Sequence, residues 1–185
     1  MARRGANSNC RIVSPDGTVA GGCGTSSAQG QWLKADLAAN DESRMLALWH
    51  HPRYSSHQNN KNATTGFWTL LYNAGAEVIL NGHAHHYERF AAQTKSAVAD
   101  PQRGLVQFVV GTGGHSFHTM TKPQPNSVVK NNTTFGVLEM TLRANGDDFR
   151  FVPEAGATFT DSGSGTCHGA PGTATVSTNV LRVRP

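Results

Sequence analysis

Three apolar runs in this chain end on histidine. Residues 44–51, RMLALWHH, stop at His50 and His51; residues 76–83, AEVILNGH, stop at His83; residues 104–118, GLVQFVVGTGGHSFH, pass through a glycine loop to His115 and His118. Short apolar runs bounded by turn residues read as buried strands. Strands apolar on both faces belong inside a sheet covered on each side. Open α/β sheets place ligand sites beyond the C-terminal ends of their strands. Three imidazole-tipped strands are therefore expected to gather histidines distant in sequence along one sheet edge.

The intervening segments fit an α/β fold. In residues 26–41, SSAQGQWLKADLAAND, Trp32, Leu33, Leu37 and Ala38 have helical spacing, and Ser26 or Ser27 can cap the start. Residues 54–66 read as a long polar loop. Residues 67–75, FWTLLYNAG, read as a helix stopped by Gly75 in the C′ position. Residues 135–156 alternate in polarity around Asn145-Gly146, the strongest hairpin signal in the chain. The expected fold class is α/β, with a mixed sheet and a C-terminal β-hairpin. Residues 1–160 are expected to form one domain and residues 161–185, rich in Gly, Ser and Thr, an irregular tail.

With 185 residues the chain can build one domain with a real core. Its formal charge of +4 is scattered apart from Arg3-Arg4 and Arg182/Arg184. No basic stripe is interleaved with aromatics, so no nucleic-acid-binding module is expected. No run approaches the ~18 apolar residues of a transmembrane helix, and the start MARRGANSNC lacks the apolar segment of a signal peptide. Of the three cysteines, Cys10 and Cys23 are close enough to close a small loop; a disulfide or free thiols both fit, depending on compartment.

Nine histidines carry the chemistry. His83 and His85 are two apart, so in extended chain both rings face the same way, and His50 can add a third nitrogen from a neighbouring strand. Imidazole is the commonest protein ligand for zinc and also suits iron, and three histidines match an open catalytic zinc site. His51 and His86 should point away from their neighbours, as packing or supporting residues. His57, on the polar loop, can donate a proton to a leaving group or hold a phosphate; an ordinary solvated loop residue fits equally well. His115 and His118 follow a glycine loop whose N–H groups can meet an anion, or they simply lie on the surface. Glu88 and Arg89 form an ion pair, or Glu88 orients a ligating imidazole.

The stretches LALWHHPRYSS and AGAEVILNGHAHHYERF resemble the C-terminal half of calcineurin-like metallophosphoesterases, in particular the purple-acid-phosphatase-like branch. GHAH matches the family's GHxH motif and WHHP its His-x-Pro motif. FVVGTGG, FGVLEMTL and the segment from Phe151 look like its closing strands. The resemblance implies metal-dependent phosphoester hydrolysis by a metal-bound hydroxide. It makes His50 and His83 ligands of one metal and His85 of another, and it places His57 in a substrate-facing loop. His86 and Arg89 are then expected to assist the leaving group and balance charge. Relatives of this type are often secreted.

The family's N-terminal Asp-x-His, Gly-Asp and Gly-Asn-His motifs do not occur before WHHP. The chain is therefore expected to be a truncated domain, about half a family member. Without a bridging aspartate, one divalent metal is expected in place of two: zinc first, with iron or manganese as alternatives. One apolar sheet face is expected to be bare, and a homodimer partner is expected to supply the missing half. The functional expectation is a hydrolase of phosphodiesters or activated phosphoesters. The alternatives are a non-catalytic remnant that binds metal or phosphate, and a metal-independent phosphodiesterase built on histidines.

Overall fold

The computed structural model describes residues 22–39, 45–57, 62–143, 145–168 and 179–183. Helix α1, Ala28–Ala39, is capped by the Ser27 hydroxyl, which accepts the Gly30 N–H at 3.0 Å. Leu33 is buried on its inner face, whereas Trp32 is 44% exposed. Helix α2, Thr65–Asn73, ends as expected at Gly75, whose φ is +78°. The Ala76 N–H reaches back to the Leu71 carbonyl at 3.0 Å and the Gly75 N–H to that of Tyr72 at 3.2 Å. Only a residue at ease with positive φ closes the helix this way.

Five strands make a mixed sheet: β1 Leu46–Trp49, β2 Val78–Asn81, β3 Tyr87–Phe90, β4 Val106–Val110 and β5 Ser127–Asn131, in the order β1-β2-β4-β3-β5. β1, β2 and β4 are parallel, with Trp49 opposite Asn81 and Asn81 opposite Val109. Their C-terminal ends therefore finish along one edge, and that edge carries the histidine loops. β3 and β5 run antiparallel to this core. Neither was legible as a strand: YERF and SVVKN are short and polar, and they pair because their neighbours offer open ladders.

A second sheet follows: β6 Gly136–Leu142, β7 Gly146–Pro153, β8 Ser162–Thr166 and β9 Asn179–Val183, antiparallel in the order β8-β7-β6-β9. β6 and β7 form the expected hairpin, Leu142 pairing with Asp147. The expected irregular tail, 161–185, instead supplies β8 and β9. Glycine explains the difference. A Cβ on Gly163 would lie 2.9 Å from the Phe149 ring, and one on Gly165 2.8 Å from the Asp147 carboxylate. Composition suggested a loop, but small residues are what this strand needs beneath side chains of β7.

Two apolar clusters flank the mixed sheet. Trp49, Trp68, Leu71, Ile79, Phe90 and Val109 pack between it and the helices. Leu80, Tyr87, Phe108 and Val110 pack against Leu138, Met140, Phe149 and Phe151 of the second sheet. Ile79 and Leu80 fall on opposite faces, which is why the run reads as continuously apolar. The expected bare face is therefore covered by the chain's own β6–β9 sheet, and the packing argument for a dimer loses its premise. Among the described residues no helix is long and apolar enough to cross a membrane. Cys23 is disulfide-bonded and buried; Cys10, one candidate partner, lies outside the described residues.

Candidate metal centre

The site is built at the C-terminal ends of β1 and β2. The Asn81 amide donates to the Trp49 carbonyl at 2.9 Å, and the Gly82 N–H donates to that of His50 at 3.0 Å. The Trp49 indole donates to the His51 carbonyl at 2.7 Å. These bonds bend the chain at His50 and His51, and the alternation of the strand ends there. The two rings, expected to diverge, lie 4.8 Å apart by centroid.

His83 completes the group. Its φ of +60° is rare for a residue with a Cβ. The Ala84 N–H closes on the Gly82 carbonyl at 2.7 Å, making a three-residue turn with His83 at its centre; the His86 N–H closes on the Ala84 carbonyl at 2.8 Å, making another around His85. Such turns are strained when the central φ is positive. Two in succession also destroy the extended geometry in which His83 and His85 would face the same way. His83 turns to His50 and His51, with ring centroids at 5.1 and 3.9 Å. His83 Nδ1 lies 3.3 Å from His50 Nε2.

One ligand atom from each of His50, His51 and His83 lies within 4.8 Å of the others, so the trio can hold a divalent cation. The fit follows from the donor chemistry. Two nitrogens bound at zinc distances in a tetrahedron are separated by roughly 3.3–3.4 Å, which matches the His50–His83 spacing. Imidazole must be neutral to ligate. Desolvation, and next the charge His85 can carry, hold the His50 pKa below its ordinary value.

His85 goes elsewhere. It stacks on His118 at 4.0 Å, His118 stacks on His57 at 3.9 Å, and His115 tilts against His85 at 4.3 Å. The hydrogen-bond partners assign the tautomers. His85 Nδ1 faces the Ser116 carbonyl at 3.0 Å and His57 Nδ1 that of Thr119 at 3.0 Å. A carbonyl only accepts, so both Nδ1 atoms carry protons and the neutral rings keep a lone pair on Nε2. His118 Nδ1 instead accepts the His85 N–H at 3.1 Å. Burial first, and then the surrounding histidines, lower the His118 pKa to about 4.

Glu88 ties this arrangement together. The fully buried carboxylate accepts the Ser56 N–H at 2.8 Å, the Ser56 and Ser127 hydroxyls at 2.5 and 2.6 Å, and the His86 Nε2–H at 3.0 Å. Burial alone would raise its pKa; the bonds from His86, Ser127 and Ser56 outweigh it and hold the pKa below the ordinary value. The loop carrying His57 is thus moored to β3. His86, expected to assist the reaction, is fully buried, and Arg89, expected to balance charge, makes a two-pronged pair with Asp161 at 2.7 and 3.0 Å. Asp161 also accepts the Tyr87 hydroxyl at 2.8 Å. Both side chains are committed to fixing β3. His168 lies by Glu77 at the N-terminal end of β2, across the sheet from the histidine edge.

No family model matches the chain. Among curated proteins it is 37% identical to Purple acid phosphatase 15 of Arabidopsis thaliana over 97 residues, 49% of this chain and 18% of that protein. It is 33% identical to Purple acid phosphatase 18 of the same plant over 128 residues, 63% of this chain and 28% of that protein. The chain is thus similar in sequence to plant purple acid phosphatases over 49% to 63% of its own length. It spans less than a third of the length of these two relatives. A purple acid phosphatase from yellow lupin seeds shares the fold, with a TM-score of 0.68 at 18% identity over 77% of this chain and 29% of that one. GAP50, described as the anchor in the inner membrane complex of Plasmodium, also shares it, with a TM-score of 0.58 at 14% identity over 84% of this chain and 46% of that one. A fold shared with these two proteins does not by itself assign chemistry.

Sequence reasoning named His50, His83 and His85 but set His51 aside. The doubled histidine of WHHP was the available signal. Reading it required knowing that the strand stops at Trp49.

Proposed function

We propose that this chain hydrolyses phosphoesters, phosphodiesters or activated phosphoesters, at a divalent metal held by histidines at the ends of β1 and β2. The observation that carries the proposal is the convergence of three imidazoles at that edge, in a chain related to purple acid phosphatases. His50 and His83 form the core of the site, and the third imidazole comes from a flanking histidine, His51 or His85. An all-imidazole set favours zinc, with iron or manganese as alternatives. The bound cation would supply an activated water and polarise the phosphoryl oxygen.

The protein's part is positioning and proton transfer. His57 keeps Nδ1–H on the Thr119 carbonyl, so its protonated ring can give up only the Nε2 proton, to the departing oxygen. Glu88 holds the backbone before His57 in place. His115, exposed on the glycine loop beside His85, is available to the phosphate. His86 and Arg89 act by position, through Glu88 and Asp161.

The test is hydrolysis of a generic aryl phosphodiester, with metal content measured on the same sample. Turnover should vanish in chelator, return with zinc, and be absent in His83→Ala. Turnover unaffected by either treatment would reject the metal mechanism and favour direct acid–base catalysis by the stacked histidines. Specific activity should not depend on protein concentration, because every residue invoked comes from one chain. A rise with concentration would support the expected homodimer.

A further inference from the structure

We infer that His118 is a positioning residue for the proposed reaction: its Nδ1 fixes His85, the second histidine of GHAH, and its ring holds His57 one imidazole away from it. The inference rests on the phosphoesterase reading above and adds what orients two of its histidines. His85 and His118 clasp each other. The His85 N–H donates to His118 Nδ1 at 3.1 Å, and the His118 N–H donates to the His85 carbonyl at 3.0 Å. The Ser116 carbonyl holds the His85 Nδ1–H at 3.0 Å. That leaves His85 Nε2 for a cation, the arrangement usual for an imidazole ligand. The segment after GTGG thus orients the histidine that the family resemblance makes a ligand.

The same segment also holds the loop of His57. The Thr119 carbonyl accepts the His57 Nδ1–H at 3.0 Å, and the Lys122 N–H donates to the Ser56 carbonyl at 2.8 Å. The His118 ring fills the space between. It lies 3.9 Å from His57 and 4.0 Å from His85 by centroid, at interplanar angles of 21° and 17°. The Asn132 amide, on the His118 carbonyl at 3.0 Å, fixes this spacer itself. The tautomers suit it to the role. A neutral ring that accepts at Nδ1 carries its proton on Nε2, whereas His57 and His85 carry theirs on Nδ1. Neutral His118 therefore has no lone pair left for a cation, and His57, which has one, is kept one ring away from His85. An acid on a loop is effective only at a fixed distance from the reacting phosphorus, and the His118 ring sets the position of His57 relative to His85. These contacts lie within this chain, whichever further residues complete the metal site.

The test separates the two roles in the full chain, with circular dichroism to check the fold. His118→Asn keeps an acceptor oxygen as many bonds from Cβ as Nδ1 and loses the ring; His118→Phe keeps a ring and loses the acceptor. His118→Phe should weaken zinc binding, measured by calorimetry, about tenfold, the low end of the loss seen when a partner of a metal ligand is removed. Excess zinc should recover its turnover of an aryl phosphodiester. His118→Asn should keep the zinc affinity within about threefold, well short of that loss, but lower kcat on the order of 10–100-fold at unchanged KM, and excess zinc should not recover it. Folded variants in which affinity and kcat fall together, or in which neither moves, would overturn the inference. An unmodified chain that neither takes up zinc nor turns over would overturn the phosphoesterase reading, and imidazole nitrogen NMR at about pH 8, where the rings are neutral, then decides the positioning role. Nε2–H on His118 with Nδ1–H on His57 and His85, the His57 pattern lost in His118→Asn and the His85 amide exchanging faster only in His118→Phe, would support it. The same tautomer on all three rings would overturn it.

Discussion

Glu88 is the residue whose loss should be felt most. It is a buried carboxylate whose bonds come from three elements, and truncation would strand the Ser56 N–H and the His86 Nε2–H without water. Glu88→Ala should cost about 3–5 kcal/mol of stability, the usual cost of breaking a buried pair on one side. Glu88→Gln should cost less. Urea denaturation measures both, and a loss below about 0.5 kcal/mol for the alanine variant would mean the network carries no load. Acid should act in two windows. His118 has a folded pKa of about 4 against an ordinary 6.5, so the unfolded chain binds the extra proton between those values. Its contribution is complete above pH 6.5 and declines as pH falls toward 4. Glu88, held below 4.5, contributes above that value and loses its contribution only at lower pH. In chelator-treated protein, NMR titration should find the His118 ring still neutral at pH 5. Replacing it with Asn should flatten the decline in melting temperature between pH 6.5 and 4.

Among the elements, the exit of β4 is tightly constrained. Gly111 runs against the turn from Gly82 to His86: its N–H donates to the His86 carbonyl at 3.0 Å, and an added Cβ would collide with the Ala84 carbonyl. That neighbour is backbone and cannot rotate away. Gly111→Ala should therefore push the two histidine turns outward, costing about 1–3 kcal/mol and weakening metal binding without touching a ligand. Unchanged zinc affinity in a folded Gly111→Ala protein would show that the turns tolerate displacement. Around this point the glycine loop is held by the Phe117–Phe135 stack at 4.3 Å and by the Asn132 amide on the His118 carbonyl at 3.0 Å. The connection from β5 to β6 thus helps to place the histidines at the edge of the first sheet.

Across the whole molecule, two apolar clusters share one sheet, and the chain should unfold as one unit. Trp49 and Trp68 report on the helix side, whereas Phe151 belongs to the cluster between the sheets. Phe151→Ala should cost about 3–5 kcal/mol and shift the fluorescence and circular dichroism transitions together. If tryptophan fluorescence kept its midpoint while the dichroism moved, the two layers would be separate cooperative units.

Apolar runs and punctuation fixed much of this protein locally. β1, β2 and β4, the helix stop at Gly75, the hairpin at Asn145-Gly146 and the delivery of histidines to strand ends were all legible, because each depends on the period of a few neighbouring residues. Only the tertiary structure decided which histidines meet. His51 falls beside His83, and His85 away from it, because β1 stops at Trp49 before the doubled histidine and because two tight turns replace an extended segment. The glycine-rich tail became strand, and the apolar face found its cover within the chain. In each case the deciding contact joins residues far apart in sequence, where local pattern carries no information.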